Sequence, residues 1–239
     1  MTVKRLLSCV IALWIVVLCI ERSMEPIGAD PSRTDVGIRL GAKSAIKHWS
    51  EELKSARAAG DHDKIQQATY ELALANWQLL RFEDASAVLL PLLSKPNKTN
   101  GYCAQTLQAA AGLKRDAGKF DEASRLYNQA LESDHAAGRA ASNQAARDLN
   151  NLGVVALIDS MTKPDQATSA KALDSSRQYL ERSLSTIEKD AAETLRTAVI
   201  LNNLALVSEE LGQSQDSATA ALKAKRIRQD TAGTPAQQR

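Results

Sequence analysis

The chain has 239 residues, of which 44% are hydrophobic and 4% aromatic, with 30 Lys and Arg against 28 Asp and Glu. Its length suits one large domain or two small ones, and its 11 Gly and 6 Pro exclude a collagen-like chain. A formal net charge of +2 lacks the broad positive field of a general nucleic-acid binder. Scarce aromatic residues and abundant alanine favour an all-α fold, because strands prefer β-branched and aromatic side chains.

Residues 1–29 have the order of a secretory signal. Lys4 and Arg5 precede a run at residues 6–20 that is apolar apart from Ser8, and a polar stretch then leads to Ala29. The run is shorter than the roughly 20 residues of a membrane-spanning helix, which favours a cleaved signal. Ile27 is a poor match to the small residue expected before the cleavage site, so an uncleaved membrane anchor stays open. We therefore predict an exported protein, periplasmic or extracellular, or one attached to the membrane through residues 6–20.

The cysteines are consistent with export. Cleavage after Ala29 would remove Cys9 and Cys19 and leave Cys103 alone, so no intrachain disulfide is expected. Neither Cys9 nor Cys19 stands where a lipid-attachment signal would need it. Asn97-Lys98-Thr99 matches the N-glycosylation pattern, which matters only in a eukaryotic secretory path.

Residues 38–228 are predicted to form helices, after a linker at 30–37 and before a flexible tail at 229–239. Apolar residues recur every three or four positions from Ile38 onward, and no stretch alternates as a strand would. This pattern predicts one leading helix, ended by Gly60, and four antiparallel helix pairs. The apolar stripes contain Leu72, Leu107, Leu152 and Leu204 in the first helices, and Leu89, Tyr127, Leu180 and Ile227 in the second helices.

Small residues and turn signals support this pairing. Helices can approach closely only where Ala, Gly or Ser replaces a bulky side chain. Such residues recur in both helices of each pair: Ala73, Ala111, Gly153 and Ala205 in the first, and Ala85, Ala123, Ser176 and Ser217 in the second. At the clearest turn, Gly118 can end one helix in a left-handed conformation while Phe120 packs back. The Arg81-Phe82 turn repeats this signal without the glycine.

The arrangement resembles the tetratricopeptide repeat family over roughly residues 68–228. Family repeats are typically 34 residues long, whereas the equivalent positions Leu72, Ala110, Leu152 and Leu204 are 38, 42 and 52 residues apart. The blocks at 149–153 and 201–205 look like the lengthened repeats of kinesin light chain. The resemblance implies a right-handed α-solenoid whose concave groove is lined by the first helices. Residues 161–171 depart from the pattern and predict either a protruding loop or a longer second helix.

The predicted groove is rich in amide side chains. Residues one step off the packing stripe of the first helices are Tyr70, Trp77, Gln78, Gln105, Gln108, Arg115, Arg147, Asn150, Asn151, Asn202 and Asn203. Amides donate and accept hydrogen bonds, so they can bind the main chain of an extended peptide. In the resembling family, asparagines at the Asn151 and Asn203 positions do this, while Tyr70 and Trp77 would anchor the peptide. Alternatively, the asparagines face solvent or cap helices, and the aromatics belong to the core.

The resembling family also includes proteins that grip the terminal carboxylate of a chaperone tail. Arg147 and Asn151 are of the right type for that grip, but Val199 and Leu206 occupy the places of the further polar residues. We therefore do not predict chaperone-tail specificity.

The residue pattern predicts neither catalysis nor a metal or cofactor site. His48, His62 and His135 lie apart, without partners at metal-ligand spacing, and no phosphate-binding loop or nucleophile motif occurs. The basic run Lys223, Lys225, Arg226 and Arg228 suits a helix carboxyl end, or a membrane-surface contact.

The prediction is thus a non-catalytic scaffold outside the cytoplasm that binds a peptide or protein partner in its groove. The rival is a structural subunit of an envelope or membrane complex that uses its outer helical faces. A cytoplasmic adaptor would require the interpretation of residues 1–29 to be wrong.

Overall fold

The computed structural model describes residues 31–94, 102–188 and 195–233, and these form helices without strands. The helices are α1 (Pro31–Ala59), α2 (His62–Gln78), α3 (Phe82–Ser94), α4 (Tyr102–Asp116), α5 (Phe120–Ala136), α6 (Asn143–Thr162), α7 (Gln166–Glu188), α8 (Leu195–Glu210) and α9 (Ser214–Gly233). The predicted signal or anchor at 1–29 and the Asn97–Thr99 motif lie outside the described residues. None of the described helices is long and apolar enough to cross a membrane.

The predicted leading helix and four helix pairs are confirmed, with shifted ends. Helix α1 begins at Pro31, earlier than the predicted Ile38, so most of the proposed linker is helical. Gly41 interrupts α1 with a non-helical conformation, φ 66° and ψ 156°. At the other end α9 continues past Arg228 to Gly233, and residues 234–239 of the predicted tail lie outside the described residues.

The first helices of the pairs form an inner layer. Helix α2 packs against α4, and α6 packs against α8, whereas no two second helices pack closely among the described residues. Helices α3, α5 and α7 instead pack against their own first helix and against the first helix of the next pair, and α9 packs against α8. Because the first helices are closer together than the second helices, we use "inner layer" for α2, α4, α6 and α8. Their facing side chains are the candidates for a groove.

Five interhelical turns share one hydrogen-bonding pattern, in which a backbone N–H reaches back to the carbonyl five residues earlier. In the α4–α5 turn, the Lys119 N–H donates to the Lys114 carbonyl at 2.8 Å, and Gly118 has φ 73° as predicted. The α2–α3 turn makes the same bond from Arg81 to Asn76 at 3.0 Å. There, Leu80 takes the left-handed position with φ 58°, although that conformation favours glycine.

Helices α6 and α7 form the most extensive of the described interfaces. At Gly153 an added Cβ would lie 2.6 Å from Leu180 Cγ, so only glycine fits this approach. The buried Ser176 hydroxyl donates to the Gly153 carbonyl at 2.7 Å, and Ser183 donates to the Ala146 carbonyl. The predicted use of small residues is confirmed here. Ser217, in contrast, is only half-buried.

Residues 161–171, for which the sequence predicted either a protruding loop or a longer second helix, are mostly helical. Helix α6 runs to Thr162 and α7 starts at Gln166, so the connection is short. The Asp165 carboxylate caps α7 by accepting the Thr168 N–H at 2.9 Å, which fixes where the helix begins. No protruding loop forms there, because both helices lengthen together.

Candidate functional site

A polar cluster joins α4 to α6 in the inner layer. The Gln108 Oε1 accepts hydrogen bonds from Gln144 Nε2 and from Arg147 Nη2, the latter at 3.0 Å. Apart from these side chains, α4 and α6 do not approach as closely as α2 and α4 do. Two donors on one oxygen also fix the orientation of the Gln108 amide, since the flipped amide would place its N–H groups against other donors. We call Gln108, Gln144 and Arg147 the amide–guanidinium cluster.

A second polar bridge joins α6 to α8. Asn203 Nδ2 donates to Asn150 Oδ1 at 2.9 Å, and both side chains are buried. Near the start of the same helices, Arg196 Nη1 donates to the Asn143 carbonyl at 3.0 Å. The predicted groove residues Asn150 and Asn203 are therefore brought together, and they bond to each other. Their amides hold the inner layer in register.

Arg147 carries positive charge without an ionic partner among the described residues. Its side chain is half-buried, its one hydrogen bond goes to a neutral amide oxygen, and no carboxylate pairs with it. Burial is the main cause that lowers its pKa, and the nearby Arg196 adds to this. A guanidinium nevertheless stays protonated in proteins. The site thus combines a retained positive charge with unused N–H donors.

Two buried acids lie beneath this cluster, on the facing helices α5 and α6. Asp148 and Asp134 are both 0% exposed. Burial raises the pKa of Asp148 well above its usual range, and Asp134 raises it further, while Arg147 and Gln108 oppose the shift. Burial also raises the pKa of Asp134, although Arg139 Nη2 binds its Oδ1 at 2.8 Å.

The Asp148 carboxyl lies close to Gln108 without a hydrogen bond of good geometry. The Gln108 amide lowers the pKa of Asp148, yet neither Gln108 Nε2 nor either Asp148 oxygen has a hydrogen-bond partner among the described residues. A buried ionised carboxylate without partners is costly. Asp148 is therefore better accommodated as a neutral acid.

Two further buried groups complete the surroundings of the acids. Tyr127 of α5 is fully buried, and burial raises its pKa to about 12. Arg115 of α4, a predicted groove residue, is also buried and binds Asp116 Oδ1 through Nε and Nη2, both at 2.9 Å. Arg115 therefore lies in an ion pair of the interior.

The aromatic residues predicted for the groove lie in the core. Tyr70 is buried, and the half-buried Trp77 packs into the same apolar cluster with Leu89 and Leu113. Trp77 fits because α4 has Gly112 at this point, where an added Cβ would lie 2.2 Å from the indole. Tyr70 and Trp77 therefore belong to the core, the alternative to the expected role as peptide anchors, because the close packing of α2 against α4 encloses both side chains.

The remaining predicted groove residues differ in exposure. Asn151 is buried, Asn202 and Gln105 are half-buried, and Gln78 is exposed. Sequence reasoning missed Gln144, Asp134 and Asp148. A signal was present for Asp148, because it occupies the helical stripe of Ala145, Leu152 and Val155, all of which are buried. An acidic residue on an apolar helical stripe is expected to be buried, and a buried acid usually has a structural or functional role.

Within the described ranges, no group of three or more His, Cys, Asp or Glu side chains could hold a metal ion. His62 and His135 are exposed, and His48 is half-buried with its ring against Trp49. The Glu122 carboxylate accepts from Lys114 Nζ at 2.7 Å, and this bond lowers its pKa. Neither the three histidines nor the Lys114–Glu122 ion pair belongs to the amide–guanidinium cluster.

Comparison with known proteins shows similarity in fold. No protein-family model matches the chain, and no curated protein matches its sequence. The crystal structure of MamA matches with 15% identity and a TM-score of 0.58, covering 87% of this chain and 100% of that chain. The crystal structure of BtubC (BKLC) from P. vanneervenii has 19% identity and a TM-score of 0.45, covering 82% of this chain and 94% of that chain. The chain thus has a tetratricopeptide-like fold of paired helices, similar to that of MamA.

Proposed function

We propose that this protein is a non-catalytic scaffold that acts outside the cytoplasm and holds a segment of a protein partner against its inner layer. The carrying observation is the half-buried Arg147, whose guanidinium bonds to one neutral amide oxygen and to no carboxylate of the described chain. Buried surfaces rarely leave such a charge without a counter-charge. A partner that supplies the missing acceptors explains why Arg147 lies there.

Two further features support this proposal. The half-buried Asn202 and Gln105 extend the polar surface along the first helices on either side of Arg147. Amides of this kind can bond a main chain whatever its sequence. The proposed location depends on Lys4, Arg5 and the apolar run at 6–20, which have the order of an export signal.

The rival function, a subunit of an envelope assembly, is favoured by one observation. Large apolar side chains are exposed around α3, with Leu80 at 67%, Leu90 at 62% and Phe82 at 39%. Exposed apolar surface can mark a permanent interface when it is contiguous. The rival therefore predicts contacts through α3, and the groove function predicts contacts through α4 and α8.

Photo-crosslinking in the native host distinguishes the two functions. A benzophenone amino acid at Gln105 or Asn202 should crosslink a partner, and the same group at the exposed Ser86 of α3 should not. Asn203 is a poor site for this test, because its replacement would break the bond to Asn150. Crosslinks from Ser86 alone would refute groove binding and support the assembly function.

The location is tested by a separate experiment. A reporter that is active only outside the cytoplasm is fused after residue 35, and an inactive fusion would contradict the proposed location.

A further inference from the structure

The amide–guanidinium cluster has more hydrogen-bond donors than acceptors. Arg147 has five N–H groups, and Gln108 and Gln144 have two each. Against these stand two amide oxygens, and Gln108 Oε1 already receives two donors. Gln108 Nε2 has no partner among the described residues, although its side chain is only 3% exposed. A ligand group for this site should therefore accept hydrogen bonds without donating them, as a carboxylate does.

The charge of the cluster points the same way. Arg147 and Arg196 are close enough to affect each other electrostatically. Arg196 is the second residue of α8, and Arg147 is the fifth residue of α6. Helix amino termini add partial positive charge. Asp148, the acid adjacent to Arg147, forms no ion pair with it. While Asp148 is neutral, the positive charge of Arg147 is available to a negative group from outside.

We propose that the amide–guanidinium cluster binds an acidic side chain of the partner while Asp148 is neutral, and that ionisation of Asp148 releases this side chain. The proposal rests on the proposed function, in which the inner layer is the binding surface. An ionised Asp148 would offer its own acceptors to Gln108 Nε2 and would offset the charge of Arg147. It would also repel the carboxylate of the partner. Asp148 then acts as an internal competitor whose protonation leaves the site open.

The surroundings of Asp148 determine the direction of the pH effect. Facing it are Arg147 of its own helix, Asp134 and Tyr127 of α5, and Gln108 of α4. The groups that interact with those neighbours are Tyr70 of α2, Arg115, Asp116, Arg139 and Arg196. Burial is the largest cause and raises the pKa of Asp148, so ionisation occurs as pH rises. The folded chain holds this proton more tightly than the unfolded chain. The free energy of unfolding therefore falls as pH rises from the ordinary value of 3.8 through the raised pKa.

Three short alanine peptides with acetylated amino ends test the ligand class. One has a central glutamate and an amidated end, the second has glutamine instead, and the third has glutamine and a free carboxyl end. Binding is followed by NMR of the ¹⁵N-labelled protein below the pH at which Asp148 titrates. The glutamate peptide should bind about tenfold more tightly than the amidated glutamine peptide, because a charge-assisted bond is lost in the latter. Equal affinities for those two would overturn the proposal.

The third peptide identifies the source of the carboxylate. Weaker binding than that of the glutamate peptide supports an acidic side chain as the ligand. If the free carboxyl end binds more tightly than the glutamate peptide, the assignment to a side chain is overturned. Arg147→Met keeps the apolar stem of Arg147 but removes its charge and should abolish the preference for glutamate. The exposed Arg125 of α5 supplies the control, since Arg125→Met should leave the preference unchanged.

The role of Asp148 is tested by its titration. The ¹³Cγ signal of Asp148 should show a higher pKa with the glutamate peptide bound than with the glutamine peptide, because the linkage is reciprocal. Asp148→Asn cannot ionise, so its affinity for the glutamate peptide should not fall as pH rises. Asp174→Asn, at an exposed position of α7, should retain the wild-type pH dependence. Circular dichroism at each pH confirms that the chain is folded. An Asp148 pKa unaffected by peptide would refute the competitor role.

The experiments distinguish failure of the carboxylate site from failure of the proposed groove function. If crosslinking at Gln105 and Asn202 captures no partner, the groove function fails whatever the peptides show. If a partner is captured there and Arg147→Met still retains it at full affinity, groove binding stands and the carboxylate site is refuted.

Discussion

At the residue scale, Leu80 shows how one conformation is shared by turns of different sequence. In the turns that follow α1, α4, α5 and α8, the left-handed position is occupied by Gly60, Gly118, Gly138 and Gly212. Leu80 holds the same position after α2 with φ 58°, and its side chain is 67% exposed. A β-carbon in this conformation costs roughly 1 kcal/mol or more. The turn forms because the hydrogen bonds on either side of Leu80 require it.

Leu80→Gly should therefore raise the free energy of unfolding by about 1 kcal/mol, because it removes strain and exposes no core. Thermal and urea unfolding measure this change. Gly118→Leu supplies the reciprocal variant, and we expect a loss of similar size. A destabilised Leu80→Gly protein would contradict the backbone strain assigned to this position.

At the element scale, the α6–α7 pair depends on one close approach. Gly153 lets Leu180 and the Ser176 carbonyl come against α6, where an added Cβ would lie 2.6 Å from Leu180 Cγ and 3.2 Å from the Ser176 oxygen. The hydroxyls of Ser176 and Ser183 bond to carbonyls of α6 across the same interface. Packing and hydrogen bonding thus define a single register for the two helices.

Gly153→Ala should destabilise the protein by about 1–3 kcal/mol, even though alanine is the better helix former, because the core is overpacked. The free energy of unfolding in urea measures the loss. Leu180→Ala alone should also destabilise the protein through a cavity. The double variant should lose less than the sum of the two losses, because shortening the Leu180 side chain removes the clash. Additive losses would show that the two residues do not compete for this space.

At the scale of the whole molecule, each helix pair packs mainly against its neighbours along the chain. Helix α1 has close contact with α2 and is interrupted at Gly41, whereas α6 packs against α5, α7 and α8. In such quasi-linear arrays, stability is a sum of local and nearest-neighbour contributions. The centre of the α6–α7 interface should therefore be the most stable part of the described fold.

Native-state hydrogen exchange should show this gradient, with the highest protection in α6 and α7 and the lowest in α1. Mass spectrometry of peptic fragments, at a pH where the fold is stable, makes the comparison helix by helix. Gly153→Ala should lower protection most in α6 and α7. Equal free energies of exchange in all described helices would contradict the gradient and indicate a single cooperative unit.

The sequence alone determined the helical class, the leading helix and the four pairs. It did so because apolar periodicity, small residues and glycine turns are local features, visible within one or two turns of a helix. The ends of α1 and α9 were less well predicted, since short polar segments can extend a helix at little cost. Export remains a prediction from residues 1–29.

Only the tertiary structure decided which polar side chains meet. Gln108 bonds to Gln144 and Arg147, which lie 36 and 39 residues later, and Asn150 bonds to Asn203 across 53 residues. Because the repeats differ in length, no fixed spacing predicts these pairs. Burial also depends on the tertiary structure, because Asp148 and Trp77 are enclosed by neighbouring helices. The helical periodicity of the sequence shows which residues share one face of a helix, but not which other helix packs against that face. The helices follow from local periodicity, whereas the chemistry of the inner layer depends on the register between helices.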